Sequence, residues 1–173
     1  MALANETREV LLRDRRMVRV RALRPNDRNL YERAVVDLSP RSRYLRFLAP
    51  IAKPSERLLD QMTQTDGFMH VAHLALTADE TAGVGVVRYV RSPADPQIAE
   101  TAIAVADDWQ GYGLGVELLR QTAEHARLAG VEALTATTLR ENTGAVRLLR
   151  ATGFEPVRAG AELYAEYRMP LGR

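Results

Sequence analysis

The chain has 173 residues, of which 46% are apolar and 27% charged, and its formal net charge is +2. This length predicts one domain with a full core, spanning residues 1–173 with its core at about 10–169. The sequence contains no apolar run of about 18 residues and no apolar signal region, which argues against a membrane-spanning or exported protein. The absence of Cys excludes disulfides and an acyl-cysteine intermediate, and a cytoplasmic location is the default expectation.

Basic residues are concentrated near the N-terminus, since residues 1–50 hold 12 of the 24 Lys and Arg but only six of the 22 acids. No aromatic residues interleave with them in a recognisable nucleic-acid module, so we expect no nucleic-acid partner. A solvated Arg-rich surface explains the charges most simply. Phosphates of a cofactor, or an acidic protein partner, are the alternative uses.

The apolar periodicity and turn residues predict an α/β layout. Strands are predicted, in chain order, at 10–12, 17–23, 69–76, 83–90, 97–106, 133–139, 154–158 and 163–169. Helices are predicted at 25–38, 39–47, 54–65, from the end of a glycine-rich segment to 129, and at 143–151. Gly130 is suited to end the long helix.

The glycine-rich segment 110–115 reads Gln-Gly-Tyr-Gly-Leu-Gly and lies between a predicted strand and a predicted amphipathic helix. Glycines let a backbone approach an anion, and the first N–H groups of a helix point at it with the positive end of the dipole behind them. The segment therefore predicts a phosphate-bearing ligand, with a plain helix-entry turn as the alternative. It is not a Walker loop, because Val116 and Glu117 stand where Lys and Ser or Thr are required, and its glycine spacing differs from a dinucleotide fingerprint.

The Q-x-x-G-x-G order of this segment resembles the pyrophosphate loop of the GNAT superfamily of acetyl-CoA-dependent N-acyltransferases. Residues 99–105 resemble that family's fourth strand and 134–139 its fifth, while 142–154 are similar to its last helix, with Asn, Ala, Leu and Gly-Phe in order. On these three motifs the chain is identified as a member. The resemblance implies the GNAT fold, with a mixed, mainly antiparallel sheet flanked by helices, and acetyl-CoA as cosubstrate.

The resemblance also implies where acetyl-CoA binds. The pyrophosphate would lie on the glycine loop, and Asn142 would lie beside the pantetheine at the entry of the last helix. The Asn142 amide would there bind the cofactor or cap the helix. The expected cofactor-binding residues are Val105, Gln110, Gly111, Tyr112, Gly113, Leu114, Gly115 and Asn142.

Acetylation of an amine requires a proton acceptor, because a Lys amine with a pKa near ~10.4 is protonated at neutral pH. Resemblance to the lysine-acetyltransferase branches assigns that role to Glu100, acting through water, and partial burial would raise the pKa of its carboxyl. In those branches the amide four residues later, here that of Ala104, polarises the thioester carbonyl. The alternative for Glu100 is a solvated charge at the sheet edge.

The family's usual general acid is absent from this sequence. Many relatives have Tyr seven residues after the Asn of the last helix, and Leu149 stands there instead. Solvent, Tyr112, Tyr164 or Tyr167 are the remaining sources of a proton for the leaving thiolate.

No metal site is predicted. His70 and His73 are three residues apart in a predicted strand and so face opposite sides, while His125 lies in mid-helix. With no Cys and no paired ligand spacing, the chain lacks a recognisable set of metal ligands.

The N-terminal third resembles a narrower branch, the GNAT domain of bacterial protein-lysine acetyltransferases that act on acyl-CoA synthetases. Residues 10–14, 20–27 and 38–47 carry this resemblance, and the S-x-x-S-x-Y-x-R-F string of the last segment would shape one wall of the acceptor site. In such proteins the domain is often fused to a cyclic-nucleotide-binding or synthetase-like domain, neither of which is recognised in these 173 residues.

The expected partners are acetyl-CoA and an amine acceptor, and a homodimer is compatible with the sequence. The acceptor is a protein lysine or a small amine such as a polyamine, aminoglycoside or amino acid. A rival from another class is a non-catalytic acyl-CoA sensor that keeps the fold and the loop. Residues 41–68, which would shape the acceptor site, reveal only composition, so the sequence does not name the acceptor.

Overall fold

The computed structural model describes residues 7–157 and 163–172, within which eight strands form one sheet flanked by five α-helices. The strands are β1 (Arg8–Leu11), β2 (Met17–Ala22), β3 (His70–Thr77), β4 (Gly83–Arg91), β5 (Ile98–Val105), β6 (Ala133–Leu139), β7 (Glu155–Pro156) and β8 (Tyr164–Pro170). The helices are α1 (Arg28–Val36), α2 (Pro40–Phe47), α3 (Glu56–Thr63), α4 (Leu114–Leu128) and α5 (Thr143–Ala151). Short 3-10 turns lie at Pro25–Asp27 and Asp107–Trp109.

The sheet runs in the order β1-β2-β3-β4-β5-β6-β8-β7. In the part of the chain that the structure describes, all neighbours pair antiparallel except β5 and β6, which are parallel. This arrangement confirms the prediction of a mixed, mainly antiparallel sheet.

Alternation along the strands divides the apolar residues between the two faces of the sheet. On β4, Val87 packs in a core with α4 and α5, while the adjacent Val86 packs with α1 and α3 in a second core. Each face of the sheet is thus covered by its own helices. None of the described helices has the length and apolar content that a membrane span requires.

Side-chain caps begin three of the helices near the predicted positions. The Oγ atoms of Ser39 and Ser55 accept from the third residue of α2 (3.1 Å) and of α3 (3.2 Å), and Asn142 caps α5 in the same way. Pro40 occupies the first position of α2, where the missing N–H removes no helical bond.

Two predicted elements differ from the structure. The helix predicted at 25–38 begins with a 3-10 turn. The buried Asp27 carboxylate accepts hydrogen bonds from the Arg21 guanidinium (2.6 and 2.9 Å) and the Arg24 N–H (2.7 Å), and these bonds hold the backbone in the turn before α1. The strand predicted at 154–158 is reduced to Glu155–Pro156, and its last residue lies outside the described residues.

Candidate active site

A wedge opens in the middle of the sheet between β5 and β6. These strands pair over only three positions, the last being Glu100 with Thr135. Beyond that point β5 stays with β4 as far as Val105, and β6 stays with β8 as far as Leu139. The backbone groups on the open side of β5 therefore lack a strand partner, and an extended ligand with amide groups could supply one.

The wedge leads into a cavity of about 590 Å³. Its wall is formed by the end of β5, the glycine loop, the starts of α4 and α5, the β1–β2 turn and α2. The charged residues that line it in the described chain are Arg13, Arg46 and Arg147, with no Asp or Glu among them. The cavity is therefore suited to an anionic ligand.

The glycine loop turns sharply and presents the start of α4 to this cavity. Gly111 (φ 82°) and Gly113 (φ 98°) adopt the left-handed region, which side chains with a Cβ disfavour. The helical ladder begins with the Glu117 N–H, which donates to the Gly113 C=O at 3.1 Å. The amides of residues 114–116 donate to no protein acceptor within the described chain, so they form a ready anion site at the positive end of α4.

The remaining loop residues take separate positions. Gln110 donates from Nε2 to the Val105 C=O at 3.0 Å, which ties the loop to the end of β5. The Leu114 side chain is buried in the core, so only its backbone faces the ligand site. A Cβ on Gly115 would lie 3.0 Å from Leu148 Cδ2, which shows that this glycine permits close packing of α4 on α5.

The β1–β2 turn holds the loop from outside and adds positive charge. The Arg16 guanidinium lies 3.9 Å from the centre of the Trp109 ring and 4.9 Å from that of Tyr112, and donates to the Asp108 C=O at 2.9 Å. Arg13 donates its N–H to the Tyr112 C=O at 3.2 Å, and its side chain lies beside Gly113. Nothing local in the sequence marks Arg13 as part of this site, because the contact joins residues about 100 positions apart.

The alternation of β5 decides which amides face the wedge. Just after β4, the Ser92 N–H donates to the Ile98 C=O, and just after β5, the Ala106 N–H donates to the Val84 C=O. The backbone N–H and C=O groups of the even-numbered residues of β5 therefore point to β4. Ala104 pairs with Val86 in the same uninterrupted register. Its N–H therefore faces β4, in contrast to the expectation that it polarises the thioester.

The odd-numbered residues of β5 have the opposite orientation. The Gln97 C=O accepts from the Ala133 N–H at the start of β6, at 3.3 Å. The backbone groups of the odd-numbered residues of β5 therefore point to the β6 side. The backbone groups of Ile103 and Val105 consequently face the open side. The structure thus adds Ile103, which sequence spacing alone did not single out.

Glu100 lies at the apex of the wedge, in the last pair that joins β5 to β6. It also pairs with Val90 of β4, so it is not at a sheet edge, and it shares a face with Ala104. Its side chain is exposed, and the partial burial considered from the sequence is not found.

Asp107 joins the cofactor loop to the start of α2. Its carboxylate accepts from the Ser39 N–H (3.0 Å), the Ser39 Oγ (2.9 Å) and the Ser42 Oγ (2.7 Å). Burial by itself raises the pKa of Asp107, but these hydrogen bonds outweigh it and hold the pKa below its ordinary value. Both serines of the S-x-x-S string therefore serve to fix α2 against the loop.

Asn142 lines the cavity and caps α5, with its Oδ1 accepting from the Ala145 N–H at 3.1 Å. Leu149 is buried in the core between α4 and the sheet. No Tyr lines the cavity in the residues that the structure describes, and Tyr167 lies in the core.

His70 and His73 of β3 lie on opposite faces of the sheet, as their spacing of three residues predicts. His70 Nε2 lies 3.2 Å from the Arg88 guanidinium, whereas the His73 ring meets His125 edge-on at 5.3 Å. No group of three metal-ligating side chains occurs within 7–157 and 163–172.

Comparison with known proteins gives consistent matches. The chain is 35% identical over 145 residues to the acetyltransferase PA5475 of Pseudomonas aeruginosa, a match that covers 83% of this chain and 77% of that protein. It is 26% identical over 134 residues to the acetyltransferase Pat of Mycolicibacterium smegmatis, covering 78% of this chain but only 40% of Pat.

Among solved structures, the GNAT domain of S. lividans PAT superimposes with a TM-score of 0.88 at 26% identity, covering 95% of this chain and 96% of that one. The sequence profile of the acetyltransferase (GNAT) family matches residues 37–154, more than half of the chain. With the wedge, the loop and the relatives in agreement, the chain belongs to the GNAT family of acetyltransferases, enzymes that take their acetyl group from acetyl-CoA.

Proposed function

We propose that the protein transfers an acetyl group directly from acetyl-CoA to a primary amine, with Glu100 as general base. The observation that carries this proposal is the wedge between β5 and β6, with unpaired helix amides at its loop end and an exposed carboxylate at its apex. A donor stretched along β5 would thus have its phosphates near cations and its acyl end toward Glu100.

The donor is held in three places in this proposal. Its pyrophosphate binds the amides of residues 111–116, next to the Arg13 guanidinium. Its pantetheine amides pair with the Val105 backbone in the manner of an added strand, because the Val105 C=O can accept a second hydrogen bond beside the one from Gln110 Nε2. The Asn142 amide contacts it from the opposite wall.

The thioester then lies near Ile103, two residues closer to Glu100 along the same open side. We assign the Ile103 N–H as the donor that polarises the thioester carbonyl, since the Ala104 N–H faces β4. Such a preorganised N–H stabilises the negative charge that develops on the oxygen during attack.

In the chemical step, the amine gives a proton through water to the Glu100 carboxylate, and its lone pair attacks the carbonyl carbon. The nitrogen of the tetrahedral intermediate loses its second proton to solvent, and the intermediate collapses with cleavage of the C–S bond. The thiolate of coenzyme A takes a proton from solvent, and the acetylated amine departs as an amide. This route requires neither a covalent enzyme intermediate nor a side-chain acid.

Two acceptor classes fit this chemistry. Protein lysine is supported by the resemblance of residues 10–14, 20–27 and 38–47 to the GNAT domain of bacterial protein-lysine acetyltransferases. Small amines are the second class, since the same proton acceptor and the same attack on the thioester serve any primary amine. Coenzyme A release with lysine peptides, polyamines and amino acids tests both.

Replacement of Glu100 by Gln tests the mechanism, since it keeps the shape and removes the proton acceptor. We expect kcat at pH 7 to fall by roughly 10²- to 10⁴-fold, with nearly unchanged acetyl-CoA affinity by calorimetry. Part of the loss should return at high pH, where the amine is neutral without help.

The matched control is Glu155→Gln, an exposed acid on the outermost strand β7, which should keep wild-type rates. Wild-type rates for Glu100→Gln from pH 6 to pH 9 would remove Glu100 from the mechanism. Binding of acetyl-CoA without coenzyme A release for any amine would favour the sensor alternative.

A further inference from the structure

Arg46, in the last turn of α2, is a cation that lines the cavity and makes no hydrogen bond or ion pair with the residues that the structure describes. Its Nε atom is closed off from solvent and meets no hydrogen-bond acceptor in the described chain. No carboxylate of the described residues lies within 4 Å of its guanidinium. Its contact is with the ring of the adjacent Phe47, whose centre is 5.0 Å away. A partly buried cation without an acceptor is unfavourable, so its position on the cavity wall points to a ligand.

A second buried guanidinium, that of Arg88 on β4, lies close enough to influence Arg46. It donates to the Met62 C=O (3.0 Å) and the Tyr31 hydroxyl (3.2 Å), which are neutral acceptors. Burial and the charge of Arg46 lower the pKa of Arg88 to about 10, the Tyr31 hydroxyl opposing them. The region therefore holds two cations with no carboxylate in contact with either among the residues described.

The backbone that carries Arg46 is fixed before any ligand arrives. The Ser39 cap and the three hydrogen bonds to Asp107 hold the start of α2, and Leu48 in the left-handed region (φ 55°) ends it. The helix therefore presents the guanidinium to a small anion without having to move itself.

The phosphates of the donor are accounted for at the other end of the cavity, by the α4 amides and Arg13. Arg46 lies instead on α2, which packs against β5, the strand of Glu100, and it lines the cavity together with Ile103 and Ala104. Burial lowers the pKa of Arg46, while the Tyr31 hydroxyl and the Glu100 carboxylate act in the opposite direction. A guanidinium and a carboxylate near each other, but unpaired, match a zwitterion of the opposite arrangement.

We propose that Arg46 binds a carboxylate at the acyl end of the cavity, and that this carboxylate belongs to the acceptor, an amine of the α-amino-acid class. The ammonium group then faces Glu100 and the carboxylate faces Arg46. This inference rests on the proposed acetyl transfer. A carboxylate on the acyl group of the donor, such as that of a succinyl group, could bind Arg46 in the same way. The experiment separates these two sources of the carboxylate.

The first arm compares amino acids with their carboxamides, using kcat/KM measured by coenzyme A release at pH 7. We expect the best amino acid to exceed its carboxamide by at least roughly 10-fold, although the carboxamide has the more easily deprotonated amine. Arg46→Met should lower kcat/KM for the amino acid by roughly 10²-fold and leave the carboxamide nearly unchanged. Arg46→Lys should restore part of the preference.

The second arm compares succinyl-CoA with butyryl-CoA by calorimetry. A preference for succinyl-CoA that Arg46→Met removes places the carboxylate on the acyl group. Arg41→Met, at an exposed position of the same helix, is the control and should change neither arm. Arg46→Met should keep its melting temperature and its acetyl-CoA affinity, because the side chain it replaces has no polar partner among the described residues.

The proposal is overturned if Arg46→Met affects amino acids and carboxamides equally and also leaves the succinyl-CoA preference unchanged. Acetylation of amines in that case would leave the proposed function intact. If no amine is acetylated, the protein saturated with coenzyme A is titrated with N-acetylleucine and N-acetylleucinamide. Arg46-dependent preference for the carboxylate there supports the site without the activity, and equal binding contradicts it.

Discussion

Asn142 combines a structural and a ligand-facing position in one side chain. It caps α5 through the Ala145 N–H and also lines the cavity. Asn142→Ala should lower the free energy of unfolding by about 1 kcal/mol and raise the acetyl-CoA KM. Asn142→Ser keeps a capping oxygen and loses the amide, so it should retain stability but still show the raised KM. A wild-type KM for the Ser variant would reduce Asn142 to a cap.

Individual site residues differed in how far the sequence could predict them. The glycine loop and Asn142 were predictable because their roles depend on local backbone geometry, which leaves a signature of a few residues. Arg46 was not predictable as a separate site residue, since nothing local distinguishes a guanidinium without a partner from one that has found an acceptor. Ile103 was missed because the direction of each amide depends on which neighbours β5 pairs with.

At the level of elements, the contact between α4 and α5 depends on Gly115. A Cβ at this position would lie 3.0 Å from Leu148 Cδ2 and 3.3 Å from Leu148 Cδ1. Gly115→Ala should therefore force the Leu148 side chain to move. We expect this cost to exceed the helix preference of Ala and to leave a net destabilisation of about 1 kcal/mol, measured by urea unfolding. Because Leu148 lines the cavity, its movement should also weaken acetyl-CoA binding.

Gly144 in the first turn of α5 is the matched control for this substitution. Its added Cβ would meet only Asn142 Oδ1, at an ordinary 3.7 Å. Gly144→Ala should be neutral or stabilising by up to about 1 kcal/mol in the same unfolding experiment, since Ala favours the helix. Equal stability of both Ala variants would contradict the packing role of Gly115.

The long regular elements were predicted well from periodicity, as for β6 and α5, whose bounds agree with the structure. The 3-10 turn Asp107–Trp109 was not, because three residues carry no period. Its role comes from Asp107, which accepts hydrogen bonds from residues 65 to 68 positions away. Sequence proximity contains no information on such a contact.

At the scale of the whole molecule, His73 links stability to pH. His73 lies on β3 and its ring faces His125 of α4. Burial is the main cause that lowers its pKa from 6.5 to about 4, and the nearby His125 and Arg8 add to this effect. Above pH 6.5 both folded and unfolded states are neutral at this site. As pH falls from 6.5 toward 4, the unfolded state gains the proton first, so stability should fall by about 2–3 kcal/mol, measured by urea unfolding.

His73→Leu separates this effect from other titrations. Burial also lowers the pKa of His70 and His125, so the wild-type curve contains more than one contribution. The Leu variant should show a shallower loss between pH 6.5 and 5 than the wild type. Parallel curves would show that His73 is protonated in the folded protein without penalty.

The wedge also has a consequence for the lifetime of the protein. β5 and β6 join the two halves of the sheet through three paired positions. The donor is expected to contact both strands beyond the last of these pairs. A ligand that binds the folded state alone adds stability with its concentration, about 2.7 kcal/mol at one hundred times its Kd. The abundance of the folded enzyme would then follow the cell's supply of acetyl-CoA, so that starvation for the donor removes the catalyst as well as its substrate.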